Sequence, residues 1–337
     1  MPNLVYTTRR AALAAIALLA SAGLAARADE LIPFKFAVST PVASILPVYL
    51  AQAGGFYEKQ GLKVEIISTE GGTRGIQVLL SGEIQGLHVG LSPVVEANSQ
   101  GADLRAIAAT TNTLPITLFS TKPLTPKLPN GTTIGISTLG SETDIALTIA
   151  LTAMGLKRDD MQITQIGGTS QRFAAMQAGR IQAAPLLEPG TSAARQKGYS
   201  VVYDLSEANT PWIFDAVVMT TDYLKQHPEN VQRFLRAYVE GAYWGMANAD
   251  KAKEMIAQRF KTHDPVVIDA TYNEFKRLMP HDAKPSVQGA ENVLRQLQST
   301  GLKVSSQNPG DYLDLAPIEA LQKAGFFAEM QQTYGIK

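Results

Sequence analysis

Twice in this chain a strand-like apolar run ends in Gly-Gly-Thr, continues through a helix-length segment and closes on a glycine ahead of another apolar run. The first copy runs from Gly71-Gly72-Thr73 to Ser81-Gly82-Glu83-Ile84-Gln85. The second runs from Gly167-Gly168-Thr169 to Ala178-Gly179-Arg180-Ile181-Gln182 and holds one extra residue. A repeated strand–turn–helix–turn–strand unit predicts two related α/β lobes. The flanking sequence agrees. Strands are predicted at 34–38, 62–67, 86–91 and 104–109. Helices are predicted around Ile45, Leu46, Tyr49, Leu50 and Ala53 (stopped by Gly54-Gly55), at 73–81 and at 93–99. The same grammar restarts after Pro123, Pro126 and Pro129, with strands at 132–136, 162–166, 183–187 and 200–203 and helices at 142–154 and 171–178. Strands alternating with short helices predict a parallel sheet covered on both faces in each lobe.

Beyond an apolar run at 213–220 the chain turns helical. Val231, Phe234, Leu235, Tyr238, Val239 and Ala242 lie on one helix face, with Pro228 at its start. Further helices are predicted at 251–260, 265–279, 286–299 and 317–334, packed back on the first lobe. Two extended crossings are expected near 118–121 and 217–221. They would divide the chain into a first lobe of residues 29–119 and 220–337 and a second of residues 120–219, joined by a hinge.

Ahead of this stand Arg9 and Arg10, an apolar run over 11–25, and Ala26-Arg27-Ala28. This is the order of a signal peptide, residues 1–28, cut near Ala28. The run is shorter than the roughly 20 residues of a permanent span; a buried N-terminal helix is the alternative. Thr8-Arg9-Arg10 also fits twin-arginine export. The expected location is periplasmic. Of 30 basic and 30 acidic residues, removal of Arg9, Arg10 and Arg27 leaves 27 basic, a net charge of −3. With no basic footprint, a nucleic-acid partner is not expected. The chain has 337 residues, 45% of them hydrophobic, enough for two cores. Its lack of cysteine excludes a disulfide scaffold, a thiol nucleophile and a lipid-modified N-terminal cysteine.

Catalytic motifs are missing. His88, His227, His263 and His281 have no metal-ligand spacing, and no G-x-S-x-G elbow, P-loop or dinucleotide fingerprint occurs. No catalytic residue, metal or cofactor is therefore expected, and His88 reads as a core or pocket-edge side chain. Small polar residues cluster instead at strand-to-helix junctions: Ser39-Thr40, Gly71-Gly72-Thr73, Ser92-Pro93, 110–113, 137–143, 168–170 and Glu188-Pro189. In a parallel sheet these junctions lie at the carboxyl ends of the strands, where open α/β folds bind ligands. Helix starts there offer free N–H groups to a carboxylate or sulfonate. Each such residue also reads as a helix cap: Ser92 ahead of a first-turn proline, and Ser141 with Asp144 as a capping-box-like pair. Arg74 is either an anion fork or a surface arginine. Glu188 and Asp215 would ask for a donor or a cation on the ligand. Trp212, Phe214 and Tyr49 offer stacking walls or core packing. The candidate ligand residues are Ser39, Thr40, Thr73, Arg74, Ser92, Thr113, Ser141, Glu188, Trp212 and Asp215.

Pro47-Val48-Tyr49-Leu50-Ala51 followed by Gly55-Phe56-Tyr57-Glu58-Lys59-Gln60-Gly61-Leu62-Lys63-Val64-Glu65 resembles the nitrate/sulfonate/taurine group of periplasmic binding proteins, in the superfamily that includes the yeast-type thiamine-pyrimidine synthases. Leu79-Leu80-Ser81-Gly82-Glu83 and the helical stretch from Tyr223 to Trp244 fit as well, so the resemblance covers roughly residues 34–250. It implies a two-lobed, type II binding-protein fold with a hinge and a ligand cleft. It also implies a monomer that captures a small sulfonate, nitrate, carboxylate or pyrimidine-like solute by hinge closure. The solute then passes to an ABC permease with a cytoplasmic ATPase. The synthases use a cysteine-rich motif that this chain lacks, which sets an enzyme of pyrimidine or quinone-precursor metabolism behind the transport reading. A sensor-linked binding protein is a further alternative.

Overall fold

Among the described residues ten strands form two five-stranded sheets, ordered Leu62–Ser68, Ile32–Val38, Gly86–Val89, Asp215–Thr220, Leu104–Thr111 and Gln162–Gln165, Thr133–Ile136, Ala183–Leu186, Thr117–Ser120, Ser200–Asp204. The structure is a computed structural model that describes residues 30–122 and 128–336. The expected signal peptide, and Pro123 and Pro126 of the proline-rich break, lie outside the described residues. The described residues from Pro33 onward pack as one unit.

The first sheet carries β1 (Ile32–Val38), β2 (Leu62–Ser68), β3 (Gly86–Val89) and β4 (Leu104–Thr111). Between them run α1 (Leu46–Ala53), α2 (Phe56–Lys59), α3 (Gly72–Leu80) and α4 (Leu91–Ser99). The second sheet carries β5 (Thr117–Ser120), β6 (Thr133–Ile136), β7 (Gln162–Gln165), β8 (Ala183–Leu186) and β9 (Ser200–Asp204). Its helices are α5 (Glu142–Ala153), α6 (Thr169–Gln177) and α7 (Gly190–Gln196). Then β10 (Asp215–Thr220) returns to the first sheet. It is followed by α8 (Thr221–Gln226), α9 (Pro228–Ala247), α10 (Ala249–Phe260), α11 (Pro265–Leu278), α12 (Val287–Ser299), α13 (Ala316–Lys323) and α14 (Phe326–Tyr334).

Three expectations change. Neither sheet is purely parallel. β1 and β3 are parallel, as are β6 with β7 and with β8, but β10 runs antiparallel to β3 and β4, and β5 antiparallel to β8 and β9. Each lobe thus completes its sheet with the strand that has just crossed from the other. The crossings consequently fall at residues 112–116 and 205–214, earlier than 118–121 and 217–221. Residues 117–119 join the second sheet and residues 215–219 the first. An apolar extended run looks the same as a connector and as a central buried strand, which is why the sequence misplaced them. Third, the helix expected over 317–334 is two helices. Gly325 at φ +75° occupies a left-handed position that breaks the run.

The α9 face behaves as its periodicity predicts. Val231, Phe234, Leu235, Tyr238, Val239 and Ala242 are all buried. Phe234 stacks on Phe34 and Phe36 at centroid distances of 5.0 and 4.6 Å, which clamps α9 to the strands of the first sheet. Each such side chain contributes about 1.5–3 kcal/mol by burial. The second lobe has its own core around Phe119, Met176, Ile181 and Leu186. Two separate cores leave a cleft between them, and both sets of parallel strands end there.

Candidate ligand cleft

The cleft holds about 30 Å³ of free space in this closed arrangement. On the first-lobe side it is lined by Ser39 and Thr40 after β1, Gly72 of α3, Val89 and Gly90 after β3, and Phe214-Asp215 entering β10. On the second-lobe side it is lined by Ser137, Ser141, Glu142 and Thr143 after β6, Arg172 of α6, and Leu187 after β8. Its mixture of apolar wall with a few convergent polar groups is that of a small-ligand site.

Arg172 is its one cationic wall residue. The side chain is wholly buried, and among the described residues it forms no ion pair. Its Nε donates to Pro185 O at 3.0 Å, one terminal nitrogen to Gly167 O, and the other to Thr169 Oγ1 at 3.0 Å. A guanidinium has five N–H donors, so two remain, one on each terminal nitrogen. Burial lowers its pKa to about 9, with Glu70 opposing that shift. An anion brought to those two donors would offset the burial cost.

Glu142 opens α5 and reaches across the cleft. Its Oε1 accepts from the Ser92 backbone N–H at 2.7 Å, in the first turn of α4, and its Oε2 accepts from the Trp212 indole at 2.7 Å. Burial raises its carboxyl to about 7, against the lowering effect of these hydrogen bonds. Two more hydrogen bonds cross between lobes: Thr73 Oγ1 donates to Leu139 O at 2.8 Å, and Ala43 N to Glu188 O at 3.1 Å. Glu96 of α4 lies against Gly140 of the second lobe; burial and then Asp144 raise its carboxyl to about 7. The lobes are therefore closed on one another.

Asp215 accepts from Ser44 Oγ and lies 3.5 Å from His88 Nδ1, at ion-pairing rather than hydrogen-bonding geometry. His88 is fully buried, as expected of a core residue, with Nε2 against Thr110 Oγ1 at 2.9 Å and Tyr238 OH at 3.2 Å. Ser44 bonds the carboxylate rather than the imidazole, so these three groups do not form a nucleophile–base pair. Among the described residues no group of three His, Cys, Asp or Glu side chains is placed to hold a metal.

Of the residues singled out from sequence, Ser39, Thr40, Ser141 and Asp215 line the cleft. Trp212 and Ser92 meet at Glu142 behind it. Thr73 bridges the lobes at its edge. Arg74 is exposed on α3, and Thr113 is half-buried in the first crossing. Glu188 turns to its own helix start, accepting from Ser192 Oγ at 2.8 Å. The capping expectations change as well. Gly90, not Ser92, caps α4, and the buried Ser92 side chain faces the Glu142 carboxyl. Ser141 makes no cap bond; its hydroxyl meets those of Ser137 and Thr143 at 2.8 and 3.0 Å. Arg172 and Glu142 were missed. A signal existed for Arg172: counting back from the closing glycines, it occupies the place of Gly75 in the first repeat. Glu142 gave none, because an acidic residue suits any helix start.

A solved structure from Bordetella bronchiseptica superposes with a TM-score of 0.79 at 21% identity, covering 88% of this chain and 98% of that one. The riboflavin-binding protein RibY of Chloroflexus aurantiacus is 26% identical over 227 residues, 65% of this chain and 63% of its own length. The taurine-binding periplasmic protein of Escherichia coli is 27% identical over 223 residues, 64% of this chain and 68% of its own length. The sequence profile of the family described as NMT1/THI5 like matches residues 42–252. That span is more than half of the chain, and it lies across both lobes and the cleft: the chain belongs to the NMT1/THI5-like family.

Proposed function

We infer that this chain is the exported solute-binding subunit of an ABC importer. It captures a small solute between its lobes, performs no chemistry on it, and presents the closed form to a membrane permease driven by a cytoplasmic ATPase. The observation that carries this reading is Arg172, a fully buried guanidinium in an interlobe cleft with two N–H donors left over and no ion-pair partner among the described residues. A solute carrying one acid group supplies the missing partner. Ser39, Thr40 and Ser141 complete its polar contacts, and Phe214 and Leu187 give it an apolar wall. Closure follows because only the closed form offers the solute both walls at once. The taurine- and riboflavin-binding relatives support capture as the activity. Their two ligands differ so much that they leave the solute to be identified from this cleft.

The test is a thermal-shift screen against matched sulfonates, carboxylates, nitrate, pyrimidines and flavins, with recovery of the bound compound. A ligand at a hundredfold excess over its Kd adds about 2.7 kcal/mol of stability. A shift confined to acid-bearing compounds recovered unchanged is expected. Recovery of a converted product, or retention of a neutral compound by an Arg172→Met variant as tightly as by the parent, overturns it.

A further inference from the structure

The first turn of α4 is set up to receive an anion. Its leading N–H groups have no partner within the helix, and the positive end of the helix dipole is there. The Trp212 indole N–H points at the same place from the second crossing. One carboxylate meets both donors, and it comes from the chain itself: Glu142, with one oxygen on Ser92 N and the other on Trp212 Nε1, each at 2.7 Å. The seat is shaped for this visitor. Gly90 has φ −71°, a conformation open to any residue, so backbone freedom does not require glycine there. A Cβ at that position, however, would collide with Cγ and Oε1 of Glu142.

We propose that the N-terminus of α4 together with the Trp212 indole is a carboxylate receptor that the chain fills with its own Glu142, and that Glu142 thereby determines which solutes the cleft admits. The solute's acid group is directed to Arg172, on the opposite wall. The α4 end of the cleft, its donors already taken by the Glu142 carboxyl, offers nothing to a second acid group and favours a solute that is uncharged or donor-bearing at that end. Both partners of Glu142 are N–H donors, so both of its oxygens must accept. A carboxylate meets that demand; an amide offers only one acceptor. This goes beyond solute capture, and its test does not depend on which solute is captured.

The experiment is chemical rescue on the full chain. Glu142→Ala empties the seat while leaving its donors in place. Melting temperatures of the parent, Glu142→Ala and Glu142→Gln are measured in rising sodium formate and acetate, with sodium chloride at matched ionic strength. Formate and acetate should raise the melting temperature of Glu142→Ala at least twice as much as that of the parent, saturably, with chloride inert. Glu142→Gln, which keeps the seat filled, should show no extra gain. Equal shifts in all three proteins, or none in Glu142→Ala, would overturn the receptor while leaving solute capture standing. If Glu142→Ala shows no folded baseline, recovery of a cooperative transition in formate but not in chloride is the expected result, and no recovery in either overturns the proposal.

Discussion

The two glycine-flanked repeats fold alike and do different work. In the first, α3 turns Gly72, Gly75, Ile76 and Leu79 inward and leaves Arg74 in solvent. In the second, α6 turns Thr169, Arg172, Ala175 and Met176 inward. Seven residues before its closing glycine the first repeat has Gly75, packed so closely on Leu87 and Thr69 that a Cβ would stand 2.8 and 2.9 Å from their side-chain atoms. The second has Arg172 at the equivalent place. One helical position thus carries close packing in one lobe and the cleft's buried cation in the other. An arginine's position in sequence relative to a glycine turn says little; its angle about the helix axis decides whether it meets solvent or ligand.

The sharpest way to break this contrast is Arg172→Met. Affinity for an acid-bearing solute should fall by at least about 30-fold, the 2–5 kcal/mol of a severed buried charge pair, read by titration calorimetry. Stability should change far less. Relief of the burial cost implied by a pKa near 9 is about 4–5 kcal/mol, against about 1–3 kcal/mol for each stranded acceptor. The two nearly cancel, and a urea midpoint within about 2 kcal/mol of the parent is expected. A Kd left unchanged would remove Arg172 from the site.

Acidity comes next. Glu142 is raised to about 7 in the closed form, chiefly by burial. Opening exposes it to water and returns it toward the ordinary carboxyl value. Closure therefore takes up a proton. It is fully supported below the open-form value and weakens as pH rises through about 7, by at most about tenfold per pH unit for one group. Glu96, raised to about 7 as well, acts with the same sign. An interlobe distance measured by fluorescence transfer between pH 5 and 8 should show the open form gaining population with pH. A trend in the other direction would contradict both assignments.

Gly75→Ala should cost about 1–2 kcal/mol through overpacking, measured by urea denaturation, with ligand affinity unaltered because the position faces the first-lobe core. The smallest effect belongs to Arg74→Ala: stability within about 0.5 kcal/mol, as for exposed sites generally, and Kd within twofold. A large loss of affinity there would restore the first repeat's arginine as a ligand residue and erase the contrast.

Ser39, Thr40 and Ser141 are legible as cleft residues because strand ends in an α/β fold share one edge, and strand ends can be read from apolar runs; Asp215, singled out beside Trp212 and Phe214 near the hinge, lines the cleft from the amino end of antiparallel β10. Glu188 follows from the same rule and Arg74 from its glycine turn, and both sit elsewhere, since each signal fixes a neighbourhood and not a side-chain direction. Ser92 was read as a cap, yet it is the backbone N–H of Ser92 that holds Glu142. No local pattern announces a carboxylate that travels from one lobe to a helix start fifty positions earlier.

Hydrophobic periodicity and glycine punctuation determined the α/β class, the paired lobes, the inward face of α9 and the edge that lines the cleft, because these follow from interactions between near neighbours in the chain. Tertiary structure alone decided that β5 and β10 complete the opposite lobes' sheets, that Arg172 rather than Arg74 is buried, and that Glu142 closes on α4. Each of those depends on how two separately folded cores are turned toward one another, and contacts between surfaces far apart in sequence leave no period for the sequence to display.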